Sequence, residues 1–152
     1  MLEIFVDADA CPVKDEVYVV GSRYDVQVVL VANQPMHTPR DLAVAIVVVD
    51  QGPDVADDWI AEHVEPRDVV ITADIPLAAR CLERGAAVLG TDGRPFTEDS
   101  IGGALASRQL NADLRETGMT SPGPSALSSK QRSAFLSRLD EMVQRGLRTE
   151  QS

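Results

Sequence analysis

The amino-acid sequence predicts an α/β protein in which helices cover both faces of a parallel five-stranded sheet. The first observation is an alternation, along residues 2–89, between short apolar runs and segments with helical periodicity. The second is that the runs are rich in β-branched residues, as strands buried on both faces usually are. The third is that two of the runs lead into an aspartate and then a proline, which suits a helix start. These patterns are typical of consecutive βα units.

The predicted elements follow from these patterns in chain order. The five strands are Leu2–Val6, Val26–Val31, Val44–Val49, Val69–Ile71 and Ala86–Leu89. The helices between them are Pro12–Arg23, Asp54–Val64 and Pro76–Arg84. Pro12 and Pro76 fit the first helical turn, where a missing N–H costs no hydrogen bond. Residues 32–42 lack helical periodicity, so we expect a loop between the second and third strands.

After residue 92 the pattern changes to helices. Two are predicted, Asp99–Thr117 and Ser128–Arg145, and the stretch between them contains two prolines. The 152 residues suffice for one domain that buries ~70% of its unfolded surface. We therefore predict a single domain over 1–147, with a sheet core at about 1–97, a helical segment at about 98–147 and a flexible tail at 148–152.

Composition and charge exclude several classes of protein. The formal net charge of −10 argues against passive binding to nucleic acid, and 19 of the 24 acidic residues lie within the first 107 positions. No apolar run approaches the ~20 residues needed to span a membrane, and the start of the chain lacks a basic, signal-like region. Two cysteines are too few for a structural zinc site. We expect a cytoplasmic protein.

Aspartates follow several of the predicted strands. Asp7 and Asp9 follow the first, Asp74 the fourth and Asp92 the fifth. In an open α/β sheet, ligands bind beyond the carboxyl ends of the strands, so these carboxylates can converge there. Asp54 and Asp58 share one face of a predicted helix, whereas Asp57 is expected to point partly aside. Clustered carboxylates repel each other, and Mg²⁺ or Mn²⁺ removes that repulsion, so the sequence predicts a divalent cation site.

Simpler roles compete with metal binding at most of these positions. Asp9 can be a helix N-cap, and acids at 54, 57 and 58 can favour a helix N-terminus through its dipole. Lys14 lies within reach of a bound phosphate but can equally be a solvated surface lysine. Asp7 and Asp74 are harder to explain in this way, because each lies at or just beyond the end of an apolar strand.

Four segments carry a resemblance to a known family. They are Asp7–Lys14, Asp54–Ile60, Ile71–Ala78 and Asp92–Gly93, in this order and at these spacings. With them the chain resembles the bacterial YaiI/YqxD family over nearly its whole length, a poorly characterised family grouped with PIN-like nuclease domains. The resemblance implies a three-layer α/β/α PIN-like domain with strand order 3-2-1-4-5 and an acidic Mg²⁺ or Mn²⁺ site for RNA cleavage.

By position, the resemblance assigns Asp7, Asp74 and Asp92 as the strand-end carboxylates and Asp54 or Asp58 as the helix-borne acid. Asp9 is an additional acid beside the first of these, and Asp92 lies in a turn from which it can point to solvent. The function expected is metal-dependent phosphodiester hydrolysis, with RNA a more suitable substrate than DNA. Asp7 and Asp74 would hold the cation and Lys14 would steady the phosphate. The sequence leaves a protein partner or homodimer open.

Two other functions compete with this one. A catalytically degenerate PIN-like module could bind RNA or a protein partner without cleaving anything. A haloacid-dehalogenase-like phosphatase would use Asp7 and Asp9 as nucleophile and acid. That chemistry also requires a lysine between Thr72 and a later acidic motif, and no lysine lies between Lys14 and Lys130.

Overall fold

The computed structural model of the protein describes residues 2–35, 37–38, 43–52, 54–97, 99–101 and 128–151. The strands are β1 (Glu3–Asp7), β2 (Gln27–Ala32), β3 (Val44–Val48), β4 (Val69–Ile71), β5 (Ala87–Leu89) and β6 (Pro95–Phe96). The α-helices are α1 (Lys14–Tyr24), α2 (Val55–His63), α3 (Ile75–Glu83) and α4 (Ser129–Gln151), and a 3₁₀ turn covers Ala8–Ala10.

The strands form one sheet in the order β3-β2-β1-β4-β5-β6. The first five are parallel and follow the expected order 3-2-1-4-5. The sheet also has a sixth strand, which was not predicted: β6 pairs antiparallel with β5 through Val88 with Phe96 and Leu89 with Pro95. Two residues are too short a run to produce a recognisable strand pattern. β1 lies in the interior of the sheet, between β2 and β4.

Helices cover both faces of the sheet, which gives the three-layer α/β/α architecture. On one face, side chains of α1 and α4 pack on alternate residues of the strands; the buried set includes Ile4, Val6, Val28, Leu30, Val17, Val20, Phe135, Leu139 and Val143. On the other face, α2 and α3 pack on the intervening residues; that set includes Phe5, Val29, Val31, Val70, Val88, Ile60, Ala61, Leu77 and Cys81. The alternation follows from the two-residue period of a strand.

Helix α1 begins at Lys14, two residues later than predicted from Pro12. The chain first makes the 3₁₀ turn at Ala8–Ala10, and Cys11 is extended with φ −108° and ψ 109°. Val13 has φ −116° and ψ 31°, outside the helical region, and takes the N-cap position, so the helix starts only at Lys14. The delay leaves Asp7 and Asp9 in a short connection at the carboxyl edge of the sheet.

Helix α4 is fixed to α1 by a polar network around Asp140. The carboxylate of Asp140 pairs with Arg23 and accepts hydrogen bonds from the Tyr24 hydroxyl at 2.7 Å and from Gln144 Nε2 at 2.6 Å. Partial burial alone would raise the pKa of Asp140, but these hydrogen bonds outweigh it and lower that pKa. The network joins residues more than a hundred positions apart.

The C-terminal end of the last helix differs from the prediction, and one predicted helix lies largely outside the described residues. Helix α4 continues to Gln151, so residues 148–151, predicted as a flexible tail, are helical. No proline or glycine interrupts the helix after Gly146, and Arg148 donates a hydrogen bond to Gln144 one turn earlier at 3.1 Å. The predicted helix Asp99–Thr117 lies largely outside the described residues. Among the helices that the structure describes, none is both long and apolar enough to cross a bilayer.

The Asp140 network generates a stability prediction. Replacing Asp140 with Asn puts an amide donor beside Arg23 and the Tyr24 hydroxyl, and we expect the free energy of unfolding to fall by about 1.5–3 kcal/mol, as measured by urea denaturation. The matched control is Glu141→Gln on the adjacent, exposed position, where Arg138 Nη1 lies 4.0 Å from the carboxylate. That change should stay within about 0.5 kcal/mol of the original protein. Equal effects of the two substitutions would contradict this assignment.

Candidate functional site

The carboxyl ends of β1 and β4 bring two of the predicted aspartates together. Val6 pairs with Ile71 in the parallel ladder, so Asp7 and Thr72 leave the sheet side by side. The Thr72 hydroxyl donates a hydrogen bond to Asp7 Oδ2 at 3.2 Å and accepts one from the backbone N–H of Asp74 at 3.0 Å. One buried threonine therefore contacts both strand-end acids.

Asp74 lies at the start of α3, where it caps the helix. Its Oδ1 accepts the backbone N–H of Leu77 at 2.8 Å, and Pro76 occupies the first turn. This is the usual bond of an N-cap aspartate to one of the unpaired N–H groups of a helix start. The structural role uses one carboxylate oxygen of Asp74 and leaves the other without a hydrogen bond among the described residues.

Asp7 is half-buried, and its surroundings disfavour the charged form. Burial raises the pKa of Asp7 above its ordinary value, the hydrogen bond from Thr72 opposes that change, and the negative charges of Asp74 and Asp9 raise the pKa further. Carboxylates so close together repel each other when all of them are ionised. Within the described residues, no lysine or arginine forms an ion pair with Asp7 or Asp74.

The third member of the cluster is Asp57, in the first turn of α2. Burial, followed by the charges of Asp74 and Asp7, raises the pKa of Asp57 from 3.8 to about 6. Asp54 and Asp58 add smaller contributions in the same direction. The helix-borne acid whose pKa is raised by the two strand-end acids is therefore Asp57. The sequence predicted that Asp57 would point partly aside.

Asp54 and Asp58, predicted to supply the helix-borne carboxylate, are placed differently. Asp54 precedes α2 at the N-cap position, is exposed, and makes no side-chain capping bond. Asp58 is exposed and pairs with Arg80 of α3 at 2.7 Å. The signal that identifies Asp57 is the buried face of α2: Ile60 and Ala61 are buried and lie three and four positions after it. Asp57 thus begins the stripe that faces the sheet.

Asp9 lies beside this cluster without capping a helix. It belongs to the 3₁₀ turn after β1, and its Oδ2 accepts the backbone N–H of Asn33 at 2.8 Å. Asn33 in turn donates from Nδ2 to the carbonyl of Asp50 at 3.1 Å. The acid therefore connects the ends of β1 and β2, and its charge still contributes to the raised pKa of Asp7.

Asp92 does not belong to the cluster of Asp7, Asp57 and Asp74. It lies in the turn between β5 and β6, where its Oδ1 accepts the backbone N–H of Arg94 at 3.0 Å and its side chain is 55% exposed. Its charge is not among the causes that raise the pKa of Asp7 or Asp57. The antiparallel β5–β6 hairpin explains this placement, because a residue inside a tight turn satisfies the turn first.

Lys14 occupies the first turn of α1, which starts beyond the carboxyl end of β1. Its Nζ donates a hydrogen bond to the carbonyl of Cys11 at 3.1 Å, which fixes the ammonium near the connection that follows β1. Cys11 is itself buried, and burial raises the pKa of its thiol. A buried, protonated thiol beside the site is a packing residue rather than a nucleophile.

The described residues contain no group of three or more His, Cys, Asp and Glu side chains arranged to hold a metal ion as they stand. Two features nevertheless fit a hard divalent cation. The donors are carboxylates, and the negative charge of Asp74 adds to burial in raising the pKa of both Asp7 and Asp57, with no base pairing to any of the three among the described residues. Mg²⁺ is commonly held by one or two carboxylates, with water and substrate phosphates completing its shell.

One cavity in the described part of the chain lies away from these acids. It has a volume of about 550 Å³ and is lined near the amino ends of β1, β2 and β3, with Val29, Val47 and Trp59 among its walls. None of the clustered acids lines it.

Comparison with other proteins places these residues in a wider group. The model of the "Uncharacterized BCR, YaiI/YqxD family" matches residues 5–145. A UPF0178 protein of Parvibaculum lavamentivorans is 58% identical over 144 residues, which covers 95% of each chain. A UPF0178 protein of Rhodospirillum rubrum is 53% identical over 144 residues, 94% of this chain and 96% of its own. A third, from a Caulobacter species, is 53% identical over 143 residues, 94% of this chain and 95% of its own. No solved structure matches the chain.

The raised pKa of Asp57 generates a prediction about stability and pH. An acid whose folded pKa exceeds its unfolded pKa destabilises the fold as pH rises between the two values, here from about 4 to about 6. Asp57→Asn should therefore raise the free energy of unfolding at pH 7.5 by about 1 kcal/mol, because solvent screens the roughly 3 kcal/mol that the full pKa difference represents. The gain should disappear near pH 4.

The control for that measurement is Asp58→Asn, one position along the same helix. Asp58 forms an exposed pair with Arg80, so its replacement should change the free energy of unfolding by less than about 0.5 kcal/mol and not increase it. Denaturant unfolding at pH 7.5 and pH 4 in the presence of a chelator tests both variants. A stabilised Asp58→Asn, or an Asp57→Asn gain that persists at pH 4, would contradict the electrostatic explanation.

Proposed function

Because the chain belongs to the YaiI/YqxD family, whose description assigns no activity, we propose its function from its acidic site: divalent-cation-dependent hydrolysis of phosphodiester bonds in RNA. The proposal combines the chemistry of the site with the implied likeness to PIN-like nucleases. Assigning an activity from fold likeness alone would be analogy, so the weight lies on the residues of the site.

One observation carries the proposal. Asp7, Asp57 and Asp74 come from β1, α2 and the start of α3, and their charges act on one another at one edge of the sheet. A fold gains nothing from like charges held together, since each raises the free energy of the folded state. Such an arrangement is understandable if a divalent cation binds there and supplies the missing positive charge.

The residues of the chain have distinct roles in this proposal. Asp7 and Asp74 would bind the cation, and Asp57 would contact it directly or through one of its waters. When bound, Mg²⁺ or Mn²⁺ activates water and stabilises the negative charge that develops on the phosphate. Lys14, held by the Cys11 carbonyl, has further N–H donors for a phosphate oxygen. Asp9 keeps the loop after β2 in place and adds negative charge to the site.

The charge of the whole protein agrees with a cation requirement. At a formal charge of −10, the protein repels a polyanion unless cations mediate the approach. We therefore propose that RNA is bound mainly through its phosphates at the metal site, and that binding weakens when the divalent cation is removed.

A second candidate function is supported by a specific observation. Within the described residues, no three acidic, histidine or cysteine side chains form a ready metal cage. A binding module that has lost cleavage would have such an incomplete site. It would bind RNA in a manner that depends on salt and on Mg²⁺, and it would leave the RNA intact.

The proposal predicts a cation-binding defect and an activity defect in the same variant. Calorimetric titration of Mn²⁺ into the protein should show saturable binding, and Asp7→Asn/Asp74→Asn should abolish it. Hydrolysis of labelled single-stranded RNA in Mn²⁺ should fall by roughly 100-fold or more in that variant, because the charge stabilisation by the cation is lost. Single-stranded DNA of the same sequence measures the preference for RNA.

The control is Asp92→Asn, which removes one charge from the exposed β5–β6 turn and should leave both Mn²⁺ affinity and hydrolysis unchanged. An Asp92→Asn defect as large as that of the double variant would show that the site is wrongly located. Failure of the unchanged protein to bind Mn²⁺ at millimolar concentration would overturn the nuclease proposal. Binding of RNA without hydrolysis would favour the second candidate.

A further inference from the structure

Strand β3 forms one edge of the sheet and has an uninterrupted apolar sequence. Residues 43–49 read Ala-Val-Ala-Ile-Val-Val-Val, without a charged or polar side chain. Among the described residues the strand pairs only with β2, and Val48 is 49% exposed. Edge strands usually carry a lysine, a proline or a bulge, because an exposed apolar edge is a template for pairing with another strand. β3 has neither lysine nor proline, and its register with β2 is unbroken.

The backbone groups of alternate β3 residues point away from β2. Ala43 accepts the Val28 N–H at 2.9 Å, and Val49 donates its N–H to the Ala32 carbonyl at 2.8 Å. The odd-numbered residues from 43 to 49 therefore face β2, because the direction of the N–H and C=O groups alternates along a strand. The residues of β3 whose backbone groups point to the open edge are Val44, Ile46 and Val48.

These three residues are spaced so that the strand can pair with a second copy of itself. A two-fold axis that is perpendicular to the sheet and passes beside Ile46 brings two copies of β3 together antiparallel. Ile46 then lies opposite Ile46 of the second copy, and Val44 lies opposite Val48. Each pair formed by these residues exchanges both backbone hydrogen bonds, about six in all. The same symmetry places Ala45 opposite Val47, so a small side chain meets a larger one on the other sheet face.

The opposite edge of the sheet is protected, which limits the pairing to β3 with β3. Edge strand β6 has only two residues, and one of them is Pro95, which lacks an N–H. Pairing of β3 with β6 of the next copy would add copies without end, whereas pairing of β3 with β3 closes after two. The formal charge of −10 on each chain also opposes larger assemblies. The two edges therefore favour a closed pair of chains.

The sheet beside β3 is incompletely covered on the α2 face. Helix α2 packs on β1 and β2, and a cavity of about 550 Å³ remains beside Ala45, Val47 and Trp59. A perpendicular two-fold axis keeps each helix layer on its own side of the sheet, so strand pairing brings the matching surface of a second copy towards this cavity. Short strands need such additional side-chain contacts, because stable interfaces bury about 1,200–2,000 Å² in total.

We propose that the protein forms a two-fold symmetric dimer in which the β3 strands of two copies pair antiparallel about Ile46. The two six-stranded sheets become one continuous sheet across the interface. The pairing gives hydrogen-bond partners to the outward backbone groups of Val44, Ile46 and Val48, and it removes the exposed half of Val48 from water. The dimer is independent of the proposed hydrolysis of RNA.

Sedimentation equilibrium of the full chain, over a wide micromolar range, measures the assembly. The unchanged protein should reach twice the mass of one chain. Val48→Lys should raise the dissociation constant of the dimer by about 10-fold or more, because a lysine on an edge strand opposes pairing and occurs twice in the dimer. The matched control is Val19→Lys on α1, where the valine is 46% exposed. It adds the same charge away from β3 and should leave the dimer intact.

Cysteine substitutions test the register of the pairing. Ile46→Cys places two thiols at the two-fold axis, where opposite Cα atoms lie about 5.5 Å apart, within disulfide range. Val48→Cys is the control, because its two copies would lie about 14 Å apart. Cys11 and Cys81 are buried and do not compete. Mild oxidation should link the Ile46→Cys protein into a covalent dimer and leave the Val48→Cys protein unlinked.

Circular dichroism establishes that each variant is folded before its mass is compared. A monomeric unchanged protein at every concentration would overturn the proposal, and so would a dimer that survives Val48→Lys. Equal loss of the dimer in Val48→Lys and Val19→Lys would show that the effect is not specific to β3 and would overturn it as well. A covalent dimer of Val48→Cys without one of Ile46→Cys would contradict the antiparallel register about Ile46.

Discussion

The parallel pairing of β1 with β4 is the constraint on which the candidate site depends. Val6 lies beside Ile71 in the ladder, so the residues that follow them leave the sheet at the same place. Asp7 and Thr72, 65 positions apart in sequence, are thereby within hydrogen-bonding distance. Asp74 follows at the start of α3, and α2 packs on the same face of the sheet and contributes Asp57. A different strand order would separate these carboxylates without changing any of their identities.

The protein contains acids of two kinds, and what separates them is the supply of hydrogen-bond donors. Asp68 is buried, but its two oxygens accept the backbone N–H groups of Glu3 and Glu65 at 3.0 and 2.9 Å. Asp140 has donors from three side chains. Asp57 accepts no hydrogen bond among the described residues and faces other negative charges. Asp140 has a lowered pKa and stabilises the fold, whereas burial still raises the pKa of Asp68 although both its oxygens are bonded. Asp57 has no such bonds and is held in an unfavourable environment, as functional groups often are.

Much of this architecture could be predicted from the sequence, because strands buried on both faces leave a strong apolar signal. The first five strands follow from that signal, whereas their order, and with it the meeting of Asp7 and Asp74 at one edge, follows from the family resemblance. The remaining errors have local causes. A two-residue strand such as β6 leaves no pattern, and the hairpin it forms directs Asp92 into a turn. The spacing of Asp54 and Asp58 points to those two acids, whereas Asp57 is recognised only from its place on the buried face of α2. Thr72 hydrogen-bonds to Asp7, 65 positions away in sequence, and no local pattern predicts such a contact.

The covering of the α1 face by α4 has a consequence for biosynthesis. The described members of the α2 face are all present once residue 101 has been made, so that half of the core can assemble early. The opposite face lacks Phe135, Leu139 and Val143 until much later, although α1 and β1 are among the first segments made. Until α4 has been made, the apolar residues of α1 and of that face of the sheet lack part of their packing partners, and transiently exposed apolar surface of this kind favours aggregation. The residues that cover the two faces of the sheet are therefore completed at different points of translation.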